Sequence, residues 1–305
     1  RGHCKTRKNI GGDYYSLVYG RISAAHVDPV EKKPFYHVMP GSSVFSLATA
    51  GCNFDCKFCQ NWTLARRLPD DIPNQKFTPG DVVKTAEKMH APLIAYTYNE
   101  PTIYQEFIVD TTRIAKEAGL KTVMVSNGYI NQKPLKELCG LIDAYKVDLK
   151  SFSQDYYSNV VNGRLQPVLD TLVMLKEHHV WTEIVYLTVP TLNDNAREVK
   201  DMAQWIIREL GADVPLHFSR FMPRYKLKSL PPTPLSTLEE LRKTALDAGL
   251  HYVYIGNVPN HEGEHTYCPG CGKLILQRIG YTLGENHIIN GRCSFCDETI
   301  PGIWK

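Results

Sequence analysis

The stretch Gly51-Cys52-Asn53-Phe54-Asp55-Cys56-Lys57-Phe58-Cys59-Gln60 carries three cysteines spaced C-x3-C-x2-C, with an aromatic residue directly before the last. Three thiolates on one short loop can hold three irons of a cubane cluster, and no fourth cysteine lies close by in the sequence. The fourth iron then keeps an open position for an exchangeable ligand. Full thiolate ligation serves electron transfer, whereas an open iron can do chemistry. The bland readings are a partial zinc site or three unrelated buried cysteines, and the tightness of the triplet argues against both.

Working outward from this loop, short β-rich runs alternate with helical patterns. Strands are expected at Ser43–Ala48, Leu93–Thr97, Thr122–Ser126, Ala144–Leu149, Trp181–Val189, Leu216–Phe221 and Tyr252–Ile255. Thr78-Pro79 opens an amphipathic stretch with Val82, Ala86 and Met89 on one face. Pro101 opens another, with Ile103, Phe107 and Ile114 inward and Gly119 as its stop. A third runs from Asp194 to Leu210, and Thr237-x-x-Glu240 reads as a capping box for a helix ending at Gly249. Strand and helix at these intervals mean parallel strands joined by right-handed crossovers. Six or seven units are too few for a closed eight-stranded barrel. The expected fold is therefore α/β, a partial open (β/α)6 barrel of the TIM-like kind, over residues 43–257. Ligands in such folds sit beyond the carboxyl ends of the strands. The cysteine loop follows the first strand and so lies at that end.

Two flanking pieces are expected. Residues 1–42 form a β-rich N-terminal extension, in which Tyr14–Tyr19 and Arg21–Val27 alternate around Gly20 like a hairpin. The chain starts at Arg1 rather than a methionine, so its beginning reads as that of a fragment. Cys4 reads as the tail of a cysteine motif or as an unpaired cysteine. Residues 258–305 form a small zinc-ribbon-like domain, entered through a polar linker near Asn257–His265. Two knuckles, Cys268-Pro-Gly-Cys271 and Cys293-Ser-Phe-Cys296, suit a tetrahedral four-thiolate site, with zinc favoured over iron. The polar stretch Lys273–Asn290 between them is too poor in apolar residues to hold itself together, so a metal would supply folding energy.

Composition narrows the class. With 305 residues and 43% hydrophobic content, the chain can bury a proper core, and no apolar run approaches the roughly 20 residues of a membrane span. A net charge of +3 is too small to argue for nucleic acid or a membrane surface. Nine cysteines, mostly in CxxC-type clusters, argue for metal binding in a reducing cytoplasm.

Beyond the strand ends lie the candidate ligand contacts. Tyr98-Asn99-Glu100-Pro101 follows the second strand, where Glu100 can accept hydrogen bonds from an ammonium group or simply begin a helix. Ser126-Asn127-Gly128 ends the third. Lys146-Val-Asp148-Leu-Lys150 ends the fourth, with Asp148 and Lys150 on one face. That buried pair needs each other or a zwitterionic ligand. Glu183 stands on the fifth strand, and His217 and Arg220 are expected at the mouth of the sixth.

The cysteine pattern resembles the radical S-adenosylmethionine (AdoMet) superfamily. Glu100-Pro101, Ser126-Asn127-Gly128 and Asp148-Leu-Lys150 are similar to segments of the pyruvate formate-lyase activating enzymes. Two departures stand out: Tyr98-Asn99 replaces a Gly-Gly pair, and Val125 stands where those enzymes carry an aspartate. Where they place a histidine after Leu-Pro-Tyr, this chain has Met222-Pro-Arg224-Tyr225. Through Asp28-Pro-Val-Glu-Lys-Lys-Pro34, the run from Ala50 to Trp62, Tyr96-Thr-Tyr-Asn-Glu-Pro101, His217-Phe-Ser-Arg-Phe221, Tyr254-Ile-Gly-Asn-Val-Pro259 and the terminal ribbon, the chain resembles over nearly its whole length the AmmeMemoRadiSam-system subgroup of activase-like proteins. The resemblance implies a [4Fe–4S] cluster on Cys52, Cys56 and Cys59, and AdoMet held by Tyr98, Asn99, Glu100, Ser126, Asn127, Asp148, Lys150, Glu183, His217 and Arg220. It also implies a ferredoxin or flavodoxin as electron donor, Memo-family and AMMECR1-family partners, and an anaerobic or low-oxygen setting. Two rival readings are a glycyl-radical activase acting on a protein glycine and a non-catalytic iron–sulfur or zinc protein that recruits a partner.

Overall fold

The computed structural model describes residues 2–305. Its centre is an eight-stranded sheet built from β1 (Ala24–Pro29), β2 (Ser43–Ala48), β3 (Leu93–Tyr96), β4 (Lys121–Ser126), β5 (Ala144–Asp148), β6 (Trp181–Thr188), β7 (Leu216–Arg220) and β8 (Val253–Gly256). The strands lie side by side in chain order. β2 to β8 are parallel, and β1 pairs antiparallel with β2 at one edge. Six helices alternate with the parallel strands: α1 (Pro79–Lys88), α2 (Gln105–Glu117), α3 (Gln132–Cys139), α4 (Gln166–Glu177), α5 (Ala196–Glu209) and α6 (Leu235–Asp247). The expected partial (β/α)6 barrel is the fold, with a seventh parallel strand after the sixth helix.

Local chemistry sets the helix ends. Thr78 and Asp81 form a reciprocal capping box ahead of α1, with Pro79 at the first helical position. Asn195 caps α5 by accepting from Arg197 and Glu198 backbone N–H groups. The capping box expected at Thr237 does not form. Pro234 is the residue that precedes α6, so Thr237 is already its third helical residue and cannot stand as the cap.

The N-terminal extension departs from the expected hairpin around Gly20. A hairpin does occur, but earlier, between Arg7–Ile10 and Asp13–Ser16. Arg21–Ile22 pairs instead with Gln75–Lys76, and Ala24–Pro29 runs along the open edge of β2 through six residue pairs. A long ladder on an existing sheet satisfies more backbone groups than an isolated two-stranded ribbon can.

From Val30 the chain crosses the inner side of the barrel. Phe35 and Val38 pack there against Val44, Leu93, Val123 and Ala144. The backbone N–H groups of Tyr36 and His37 donate to the carboxylate of Glu183 at 2.9–3.1 Å. The C-terminal ribbon, with strands β9 (Thr266–Tyr267), β10 (Leu274–Ile279) and β11 (Thr282–Asn286), docks on this same segment. Tyr36, Tyr252 and Tyr254 share an apolar cluster with Cys268, Ile275, Cys293 and Ile300. His37 and Met39 exchange backbone hydrogen bonds with Ile303.

Arg278 of β10 is fully buried. It donates to the carbonyls of Tyr36 (2.7 Å) and Glu264 (3.1 Å) and to Thr266 Oγ1 (2.8 Å), and its guanidinium lies 4.1 Å from the Tyr36 ring centroid. The ribbon is thus not held by a metal alone, as its sparse apolar content suggested. It shares a core with the barrel. Arg278→Ala leaves two buried carbonyls without a donor and a void between the tyrosines, and is expected to destabilise the chain by about 3 kcal/mol. Thermal unfolding followed by circular dichroism checks this; a loss below about 1 kcal/mol would mean that the docking does not depend on Arg278.

Candidate active site

The cysteine loop leaves β2 at its carboxyl end, and Gly51 makes the exit possible. Its φ is +99°, and a Cβ there would stand 2.5 Å from Thr6 Cγ2 and 2.7 Å from the Cys4 carbonyl oxygen. Protein contacts then fix the loop. Asp55 and Lys57 donate through their backbones to Val161 and Val160 at 3.0 Å, and Arg66 Nη1 donates to the Phe54 carbonyl at 2.6 Å. The buried Phe54 ring packs against Tyr129 and Tyr157.

Cys52, Cys56 and Cys59 all line one cavity of about 460 Å³, within the range of small-molecule sites. No other cysteine lines it among the described residues. Burial pushes the Cys52 and Cys59 thiols up and Cys56 to about 12. Burial thus favours the protonated thiols, and metal loading must displace those protons. Three cysteines lining one cavity, with no fourth among the described residues, fit a cluster that keeps one iron open.

Around the sulfurs stand the strand-end residues. Asp148 lies between two lysines: Lys150 Nζ donates to Oδ2 at 2.7 Å, and Lys146 Nζ donates to Oδ1. Burial alone would raise the Asp148 carboxyl, but the two ammonium charges outweigh it and hold it at about 2. Burial likewise works against the charge of Lys150, and Asp148 more than compensates. Lys146 was not singled out from the sequence as a site residue, although period-two alternation already put it on the face of Asp148 and Lys150.

Glu100 is almost completely buried, and its carboxylate is largely committed. Oε1 accepts from the Thr102 backbone, Thr102 Oγ1 and Ser126 Oγ, and Oε2 accepts from the Asn127 backbone at 2.8 Å. Glu100 lines the cavity, as expected, and also ties the ends of β3 and β4 together. Ser126 and Asn127 line the cavity, with Asn127 Nδ2 donating to Asn53 Oδ1 at 2.8 Å beside Cys52.

Tyr98 takes the left-handed backbone (φ +67°) that a glycine at this place adopts freely. Its hydroxyl donates to Asp28 at 2.6 Å, and Lys33 Nζ sits 4.3 Å above its ring. Asn99 Nδ2 donates to the Gly51 carbonyl at 3.0 Å, buttressing the cysteine loop.

Three expected contacts lie elsewhere. Glu183 and His217 point into the barrel but sit deeper than the cavity. The His217 ring bonds to the Glu183 carboxylate at 2.8 Å, both are buried, and neither lines the cavity. Two strand residues further along, Val185 and Ser219 line it in their stead. Arg220 donates through Nε to the Thr233 carbonyl and is not among the lining residues. Tyr225, a possible substitute for the missing histidine, stacks on Trp62 at 5.3 Å.

In the ribbon, the thiols of Cys268, Cys271, Cys293 and Cys296 lie within 4.8 Å of one another. Cys268 and Cys296 are 3.5 Å apart and Cys271 and Cys293 3.8 Å. Tetrahedral ligation at about 2.3 Å puts sulfurs roughly 3.8 Å apart, so this group can hold a metal ion.

The Radical SAM superfamily model matches residues 46–206, and the chain belongs to that superfamily. It is 46% identical to the uncharacterized protein MJ0808 of Methanocaldococcus jannaschii, over 98% of this chain and 90% of that protein. It is 22% identical to the pyruvate formate-lyase 1-activating enzyme of Escherichia coli, over 63% of this chain and 84% of that protein. Among solved structures, SuiB of Streptococcus suis bound to S-adenosylmethionine shares the fold, with a TM-score of 0.56 and 13% identity over 75% of this chain and 53% of that one. The protein is a radical SAM enzyme related to the activating enzymes. Among the described residues no helix is long and apolar enough to cross a membrane.

Gly163 supplies a test of the loop's anchoring. A Cβ there would meet Phe54 Cε1 at 2.5 Å. Gly163→Ala is expected to displace Phe54, which lies between Cys52 and Cys56, and to lower iron incorporation on anaerobic reconstitution while the helical circular dichroism persists. Unchanged iron content would show that the loop tolerates movement of this ring.

Proposed function

We propose that Cys52, Cys56 and Cys59 hold a [4Fe–4S] cluster and that AdoMet occupies the adjoining cavity. One observation carries this reading: three sulfurs and the Lys146–Asp148–Lys150 triad face one cavity at the carboxyl ends of the strands. Such a cluster, once reduced by an external donor, would supply the one electron that breaks the sulfonium C–S bond of AdoMet, giving methionine and a 5′-deoxyadenosyl radical able to abstract hydrogen from a substrate. The residues of this chain bind, orient and exclude water. Lys150, held charged by Asp148, offers its remaining N–H donors to the carboxylate of AdoMet. Ser126 and Asn127 border the space for its sugar, and Tyr98 and Asn99 form its wall. Glu100 acts by positioning Ser126 and Asn127 rather than by a full set of ligand bonds. Ferredoxin or flavodoxin fits as the electron donor, in a reducing cytoplasm. Memo-family and AMMECR1-family partners remain part of the proposal through the subgroup resemblance alone.

Anaerobic reconstitution should then give about four irons and four sulfides per chain at the barrel site, and dithionite with AdoMet should release 5′-deoxyadenosine. Cys56→Ala is expected to abolish that release with the fold intact; continued release would sink the assignment. Lys150→Ala is expected to weaken AdoMet binding by about 1.5–3 kcal/mol, the range for a hydrogen bond to a charged group, while the cluster absorbance survives. An affinity within about twofold of the parent, well under the roughly 1.4 kcal/mol of a tenfold change, would leave Lys150 as a partner of Asp148 only.

For the ribbon we propose zinc. Metal analysis should find one zinc per chain, lost on Cys268→Ser, with Zn–S distances near roughly 2.3 Å by X-ray absorption. An iron–sulfur spectrum persisting in a Cys52/Cys56/Cys59 triple variant would overturn zinc in favour of an auxiliary cluster.

A further inference from the structure

Two carboxylates in and beside the cavity are each matched by two lysines. Asp148 is bonded by Lys146 and Lys150. Asp28 is bonded by Lys32 at 2.6 Å and by Lys33 at 2.5 Å. Two ammonium groups against one carboxylate leave a net positive charge at each place. The half-exposed Lys32 is solvated, and Lys150 stands nearest the sulfurs, where Cys56 and Phe58 are among its neighbours. Lys33 and Lys146 are the more deeply buried lysine of each pair. Both line the cavity, with side chains only 3% and 6% exposed.

Neither ammonium is saturated. Each has three N–H donors. Among the described residues Lys33 donates to Asp28 and Tyr98, and Lys146 to Asp148 alone. The other nearby carboxylates have their oxygens engaged: Glu183, in register with Lys146, takes Tyr36, His37 and His217, and Glu100 takes the donors of β4. A buried cation with free donors is unfavourable unless something anionic meets it. The two charges also feel one another, since Lys146 adds to the burial that lowers Lys33. Tyr98 accepts a left-handed backbone, unfavourable by roughly 1 kcal/mol for a residue with a Cβ, and its ring and hydroxyl meet Lys33. Strain of this kind collects at binding sites.

We propose that Lys33 and Lys146, flanked by Tyr98, form an anion subsite that receives a carboxylate or phosphate group of the substrate. Lys146 lies two residues before Asp148 on β5, roughly 7 Å deeper in the barrel than that strand's end. An acid anchored there extends its remaining atoms toward the cysteine loop, where the hydrogen abstraction occurs. The substrate class is a small organic acid or phosphate ester. Lysine is a point charge without a planar fork and takes either. This assignment rests on the cavity being the AdoMet site.

The test titrates inorganic phosphate and, separately, succinate into cluster-reconstituted protein saturated with AdoMet, by calorimetry at low salt. At least one anion should bind saturably at one site. Lys33→Met and Lys146→Met should each weaken it by about tenfold or more, the equivalent of one charged hydrogen bond. Stronger phosphate binding points to a phosphorylated substrate, and stronger succinate binding to a carboxylic acid. If Lys146→Met does not fold by circular dichroism, Lys33→Met decides the matter. No saturable binding of either anion, or undiminished binding in Lys33→Met, overturns the subsite. A parent that binds the anion but releases no 5′-deoxyadenosine would sink the AdoMet reading instead, so the two failures are distinguishable.

Discussion

A carboxylate shut off from water, Glu183, is the constraint on which much of this molecule depends. Buried charge is tolerated only with a full set of hydrogen bonds, and β6 itself supplies only the Trp181 Nε1–H, at 3.3 Å. The other donors come from two places: His217 on the neighbouring strand, and the backbone of Tyr36 and His37, about 147 residues earlier. The bonds that satisfy Glu183 also fasten the N-terminal segment inside the barrel. Once fastened, that segment offers the Tyr36 ring and carbonyl to Arg278, and with them a seat for the ribbon. Extension, barrel and ribbon therefore meet in one polar knot, lined by His37, Tyr254 and Thr266.

The same segment feeds the cavity. Fixing Tyr36 and His37 fixes Lys32 and Lys33 a few residues before them, and Asp28 on β1 bonds both, with Lys33 buried and Lys32 half-exposed. The inner face of the barrel is consequently rich in charge above an apolar floor of Val44, Leu93, Val123 and Ala144. Low dielectric strengthens each pairing there and raises the penalty on any group left unpaired. Such an interior suits a site that must hold a zwitterionic ligand and shield reactive chemistry from solvent.

Much of this was legible in the residues. The three-cysteine spacing, the strand positions and the two ribbon knuckles are local patterns, and the strands fall within a residue or two of where alternation put them. Lys146 and Asp148 share a face because strand periodicity requires it, whereas Lys150 lies just past the end of β5 and reaches Asp148 by its side chain. Other features were less legible. Glu183 and His217 carry the residue types of a ligand site and stand on the right strands, yet they pair with each other one layer too deep. Glu100 sits in the expected segment but spends its oxygens on Thr102, Ser126 and Asn127. The replacement of Gly-Gly by Tyr98-Asn99 looked like a loss, whereas Tyr98 keeps the glycine-like backbone and adds a side chain that reaches Lys33 and Asp28.

The division has a physical basis. The sequence by itself determined which residues follow each strand, because hydrophobic period and glycine or proline punctuation act over a few neighbours along the chain. It thereby determined the parallel barrel, the carboxyl-end position of the cysteine loop and the four-thiol ribbon. Only the tertiary structure decided which charges face the ligand and which neutralise one another. A buried carboxylate takes whatever donors the fold brings within about 3 Å, and those come from strands and segments tens to hundreds of residues apart. Lys33 and Lys146 stand 113 positions apart in the chain and line one cavity only because β5 and the N-terminal segment face the same interior.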